Sequence, residues 1–422
     1  MTDETDTTDD RNTTDAPTRR DYLKYGLAVG TGGLLAGCTG GESTETTEPA
    51  DPGAATTTLT ETATATATDT GAETTTETAT QTSMDTPYTV SMAPAGEVTF
   101  ESIPETWVAY SGDYADMAVA LGQADGITGI GGADRYYTGI YDELPGVNID
   151  RNTVESNPEI RTKEQFYELD SDIHFYDPQM LVNWFDWGPA DLKEIRENVA
   201  PFLANLIFRR EDAWHDYRYY TLYQAFEKVA AVFQREERFR AFERLHEEFL
   251  ADIQSRMPPA SERPTVMLTY EATNEPSTFS PYRLNDRGTS KKQWRDLGVG
   301  DALAGTGIEG LSTTDRGELD YENLLEVDPD VLLIRGHERK TPNAFRQTVL
   351  AYMEDHPVGS QLTAVQNGQV YRGGYLYQGP IHNLFLTERA AKQLYPETFG
   401  DVTGEDELFD RQRVADIING ER

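Results

Sequence analysis

The chain has 422 residues, a formal net charge of −37 and a single cysteine. That length allows roughly two domains. The charge repels nucleic-acid phosphates and anionic lipid surfaces, and one cysteine excludes any disulfide within the chain.

The first segment, 1–37, reads as an address. Gly26 to Gly37 is an apolar run of 12 residues holding five glycines, too short for a bilayer span of roughly 20 residues and a poor core helix. Arg19-Arg20 before it resembles the twin-arginine export motif, and Leu35-Ala36-Gly37-Cys38 after it resembles a lipobox. Together these motifs imply Tat export, cleavage before Cys38 and lipid on that cysteine, which anchors the chain to the outer face of the cytoplasmic membrane. Residues 39–86 hold 20 threonines and no lysine or arginine. Such a stretch cannot offset the entropy of ordering, so 38–86 is expected to be a lipidated, disordered tether. The acid excess suits a halophile, where short-range screening favours strongly hydrated surfaces.

From Pro87 on, short apolar strands alternate with amphipathic helices, the pattern of parallel α/β units. Trp107 to Tyr110 reads as a strand. Tyr114 to Leu121 reads as a helix with Asp113 as its N-terminal cap and Gly122 after its end. Gly126 to Gly132 reads as the next strand and its turn. An internal echo follows: EQFYELDSDIHF at 164–175 and ENLLEVDPDVLL at 322–333 share an offset of 158 residues. Each copy predicts a short helix, a tight turn and a buried strand. Between the copies, Phe239, Phe242, Leu245, Phe249, Ile253 and Met257 recur at steps of three and four, one apolar stripe on a helix over 236–257. Pro258-Pro259 stops it. The expected organisation is an N-terminal lobe over 87–235, the helix over 236–257 as a strut, and a C-terminal lobe over 258–422.

In this order the pieces resemble the substrate-binding lipoproteins of ABC importers, the iron-siderophore and cobalamin class. The resemblance rests on E-x4-[LV]-D-x-D-[IV] in each lobe and covers roughly 98–400. It implies an α/β fold of two similar sandwich lobes joined by one long rigid helix, with a ligand cleft between them. It also implies capture of a ferric-siderophore-type chelate, with cobalamin or heme as alternatives, by a monomer that hands it to an ABC permease. By the motif match, Glu164 and Glu322 dock onto the permease. No cofactor, no resident metal and no nucleic acid are implied.

Ligands of open α/β sheets sit beyond the carboxyl ends of strands. The segments there carry Tyr110, Arg135, Tyr136, Tyr137, Trp184, Trp187, Tyr270, Arg335, Tyr375 and Tyr377. Flat rings suit chelates, and guanidinium forks suit carboxylate or hydroxamate oxygens. The six histidines are scattered, which disfavours capture of a bare ion; His174 reads as core and His337 as a cleft-loop residue. No G-x-S-x-G, H-E-x-x-H, Walker loop, C-x-x-C or G-x-G-x-x-G after a strand is present, so no enzyme is expected. A surface adhesion or sensor protein would share the tether and anchor.

Overall fold

A computed structural model of the protein describes residues 86–156, 159–210, 212–284, 287–306, 317–404 and 406–421. They belong to one compact unit, Met84–Arg422. Arg19, Arg20, Cys38 and the threonine-rich segment lie outside the described residues.

The body opens with a hairpin, β1 (Tyr88–Met92) and β2 (Gly96–Phe100), paired antiparallel. Its alternation buries Val90, Met92, Val98 and Phe100 on one face. Three parallel strands follow: β3 (Trp107–Ala109), β4 (Ile127–Ile130) and β5 (Ile173–Phe175), in the order β4-β3-β5. Helix α1 (Gly112–Ala120) starts at Ser111, not at Asp113 as the sequence suggests. Asp113 lies inside the first turn, because the chain enters the helix directly from the strand.

The internal echo has a structural cause. Helix α2 (Lys163–Leu169) ends at Asp170, and helix α6 (Tyr321–Val327) ends at Asp328. Both aspartates are left-handed, with φ of 44° and 40°, a conformation short polar residues tolerate. Two residues on, Asp172 Oδ2 accepts hydrogen bonds from the backbone and hydroxyl of Thr106, at 2.8 and 3.0 Å. Asp330 Oδ2 does the same to Thr265, at 2.8 and 2.7 Å. Each second aspartate therefore pins the start of its lobe's central strand. The strand after it, β5 in one lobe and β9 (Val331–Arg335) in the other, then pairs parallel with that strand.

Between the two repeats, α3 (Pro178–Trp184) and α4 (Leu222–Phe233) lead to α5 (Glu236–Arg256), a helix of 21 residues and about 32 Å. Met257, expected to be its last residue, is already extended at ψ 151°, since a residue before proline is pushed out of the helical region. The C-terminal sheet takes β6 (Thr265–Tyr270), β7 (Ser280–Tyr282), β8 (Gly300–Asp301), β9 and β10 (Val370–Arg372) in the order β10-β9-β6-β7, with β8 beside β6. Helices α7 (Pro380–Leu394) and α8 (Arg411–Asn419) return to α5.

One continuous core runs across both lobes. It joins Trp107 and Ala109 through Phe242 and Phe249 of α5 to Leu268, Leu333 and Leu384. Each sheet also has its own smaller core on its outer face. The lobes are thus welded along the helix and separate only at the ends of their strands.

Candidate ligand cleft

The strands of both parallel sheets aim their carboxyl ends at one cavity of about 650 Å³, within the usual range for small-molecule sites. The N-terminal wall begins at Tyr110, directly after β3. Its ring meets those of Tyr176, Trp184, Phe185 and Tyr377 at centroid distances of 5.7, 6.2, 6.0 and 6.2 Å. Close packing of these rings requires Gly131 after β4, where a Cβ would lie 2.3 Å from the Tyr176 hydroxyl. Trp184 closes α3, whose cap Asp177 accepts from Gln179 N and also from Leu206 N and the Tyr217 hydroxyl. Arg209 lies over Trp184 at 4.4 Å and is forked onto Asp212 at 2.6 Å through two nitrogens.

The C-terminal wall is cationic. Lys291 and Arg335 are both buried and flank the Tyr282 ring at 5.6 and 5.0 Å. The chain turns at Gly336, with φ of 106°, and presents His337, Glu338, Arg339 and Lys340. Burial and the Lys340 charge push the His337 imidazole down to about 4. Its neutral Nδ1 therefore accepts from the Lys340 ammonium at 3.0 Å.

Of the ten sequence-proposed residues, Tyr110, Arg135, Tyr137, Trp184, Tyr270, Arg335 and Tyr377 line this cavity. The other three stand behind its wall. Tyr375 stacks on Tyr137 at 4.4 Å and 14°, so Tyr137 takes the surface and Tyr375 backs it. Tyr136 is turned inward, its hydroxyl 2.6 Å from that of Tyr141. Trp187 packs edge-on to Phe166 in the lobe core and donates to the Arg161 carbonyl. The sequence reading missed Phe208, Arg209, Tyr282, Lys291, Arg339 and Lys340, which also line the cavity. For Arg339 and Lys340 a signal existed: in a chain with 36 bases against 73 acids, a loop rich in bases directly after a strand stands out.

Burial raises the phenols of Tyr110 and Tyr377, and burial with Glu338 raises that of Tyr137. They stay protonated and can donate hydrogen bonds. Among the described residues no three histidine, cysteine or carboxylate side chains are grouped to hold a metal ion.

Behind the cleft, Asp113 Oδ1 accepts from the Ser111 hydroxyl and Tyr114 N, while Oδ2 is buried without a hydrogen-bond partner. Burial pushes this carboxyl up from 3.8 to about 6. A raised carboxyl contributes stability below its unfolded value that is lost as pH rises through its folded value. Buried His174, His215 and His246, pushed down to about 3, act oppositely. Their contribution is full above 6.5 and lost as pH falls toward 3. Asp113→Asn is therefore expected to stabilise the protein at pH 7 by about 1–3 kcal/mol and to leave it unchanged near pH 4. Thermal melts across that range check this; equal gains at both pH values would contradict it.

Two α/β lobes on a helical strut, with a cleft at the strand ends, are the architecture of a two-lobed binding-protein fold. The family model described as periplasmic binding protein matches residues 108–375, and the chain belongs to that family. Similar solved structures include the petrobactin-binding protein YclQ from Bacillus subtilis, with a TM-score of 0.52 and 13% identity over 74% of this chain and 99% of that one. A periplasmic binding protein from Veillonella parvula follows at 0.50 and 14%, covering 73% and 97%. CeuE from Helicobacter pylori, in a nickel-histidine complex, stands at 0.50 and 13%, covering 74% and 90%. At such identities the likeness is one of fold. No curated protein sequence matches. Among the described residues no helix is long and apolar enough to cross a membrane.

Proposed function

We propose that this protein is the membrane-tethered receptor of an ABC importer, exported through the twin-arginine route and held by lipid on Cys38. The segment 38–86 is the tether, 87–235 and 258–422 are the lobes, and 236–257 is the strut. The receptor captures a siderophore-type ferric chelate and hands it to a permease through Glu164 and Glu322. The observation that carries this reading is the cavity of about 650 Å³ at the strand ends, walled by tyrosine and tryptophan rings and by cations from both lobes. Rings give a chelate large contact area at low entropic cost; guanidinium, ammonium and phenol groups all donate to its oxygens. The name of the YclQ neighbour, a petrobactin-binding protein, agrees with it.

Trp184 on the wall supplies the test. Titration of the purified protein with ferric chelates is expected to quench tryptophan fluorescence saturably at a one-to-one ratio. Quenching only by a corrinoid or by heme would move the ligand to another class within the same fold. Silence toward all three would favour an adhesion or sensor role, and turnover of the ligand would favour an enzyme.

A further inference from the structure

We infer that the captured chelate is multiply anionic, built from carboxylate or catecholate oxygens, and that neutral hydroxamate chelates and corrinoids are discriminated against. The inference rests on the receptor reading above and adds the charge of its ligand.

The cavity is lined by Arg135, Arg209, Lys291, Arg335, Arg339 and Lys340 against two carboxylates, Asp134 and Glu338, an excess of four positive charges. The chain as a whole carries −37, so the cleft reverses the sign of its surroundings. Both carboxylates are already engaged by guanidinium groups. Glu338 accepts from Gly374 N at 2.9 Å and from Arg389, a further cation, at 3.1 Å. Asp134 is exposed at the rim, 3.7 Å from Arg135. Asp212 engages Arg209.

The charges are also placed on both walls. Arg135 and Arg209 belong to the N-terminal lobe, the other four to the C-terminal lobe. A ligand filling the cavity therefore meets cations on opposite faces, which suits negative charge spread around a compact body. A neutral ligand would strip water from these walls and return no charge, at a cost that closing a desolvated site always carries. Arg339 is exposed and Lys340 half-buried, so both can change without harm to the core.

The test compares ferric complexes of similar size: a tris-catecholate and a citrate complex, both anionic, against a neutral trihydroxamate complex and cobalamin, on the full-length mature protein. The anionic complexes are expected to bind about 100-fold tighter than the neutral ones. Arg339→Gln with Lys340→Gln is expected to weaken the anionic complexes by about tenfold or more and any neutral ligand by clearly less, with circular dichroism checking that the variant is folded. If the neutral trihydroxamate binds as tightly as the anions, or if the double variant weakens both equally, the charge inference falls while chelate capture stands. If no complex binds, the receptor reading itself falls.

Discussion

Glu164→Arg combined with Glu322→Arg is expected to bind chelate with unchanged affinity and to support no uptake. Both glutamates occupy the same place in the two repeats, the first turn of α2 and of α6, and both are exposed. Neither residue lines the cavity. One acid per lobe makes a two-point key, and reversing both signs turns two attractions to permease arginines into two repulsions. At about 2 kcal/mol per point the complex loses roughly a thousandfold in affinity.

The fold tolerates the change. Glu164 accepts from its own backbone N–H and from the Thr162 hydroxyl, which hold its carboxyl below the usual range. Losing this favourable acid at a helix start costs only about 0.3–1 kcal/mol. Proteoliposomes carrying the cognate permease measure the outcome through ATPase stimulation and radio-iron uptake, with fluorescence titration run in parallel. Uptake at the parent level would refute the docking role, as would lost ligand binding in a well-folded variant. Each single reversal should give an intermediate loss, since the two points act in one interface.

What could be read from the chain follows a physical division. Signals carried by local spacing were legible: the stripe from Phe239 to Ile253, the buried strands, and the [LV]-D-x-D echo whose aspartates each serve the same turn and the same strand start. The placement of Tyr110, Arg135, Tyr137, Trp184, Tyr270, Arg335 and Tyr377 on the cavity followed from one rule, that ligands sit beyond strand ends. What local pattern could not decide was which of two adjacent rings faces outward. Tyr136 and Tyr137 differ only in direction, and direction is set by nearby Tyr141 together with Tyr375 and His382, which the sequence keeps far away. Lys291 and Arg209 reach the cavity from segments after no parallel strand, so the strand-end rule passed them by. The helix cap moved from Asp113 to Ser111 for a similar reason: both residue types cap well, and strand geometry chose between them.

The contact least visible in the sequence is expected to have the largest effect on stability. Asp116 lies on α1 in the N-terminal lobe and is fully buried. Its Oδ2 accepts from the backbone of Ile381 and His382, at 2.8 and 3.0 Å, in the first turn of α7 in the other lobe. Its Oδ1 accepts from the Tyr141 hydroxyl at 2.7 Å, itself paired with Tyr136. The cap residue of α7 is Gly379, which has no side chain to offer. A Cβ there would stand 2.6 Å from the Asp116 carboxylate. The glycine therefore makes room, and the other lobe supplies the cap across 265 positions of chain. Asp116→Ala leaves two helix-start N–H groups buried without partners and takes one of two partners from the Tyr141 phenol, which keeps only Tyr136. At about 1–3 kcal/mol each, partly relieved by entering water, the loss is about 4 kcal/mol, a large share of the stability of an ordinary domain. The melting temperature should fall by about 10 °C. Amide exchange at Ile381 and His382 should accelerate ahead of the sheets, because the loss is local to the α7 start. Since the segment just before α7 carries Tyr375 and Tyr377, chelate affinity should drop as well. Gly379→Ala, which forces the carboxylate away without removing it, should reproduce both effects in milder form. A melting temperature within about 2 °C of the parent for Asp116→Ala, a shift worth less than a single hydrogen bond, would show that the lobes are joined by the α5 core alone. The carboxylate would then be no part of what holds the cleft wall in place.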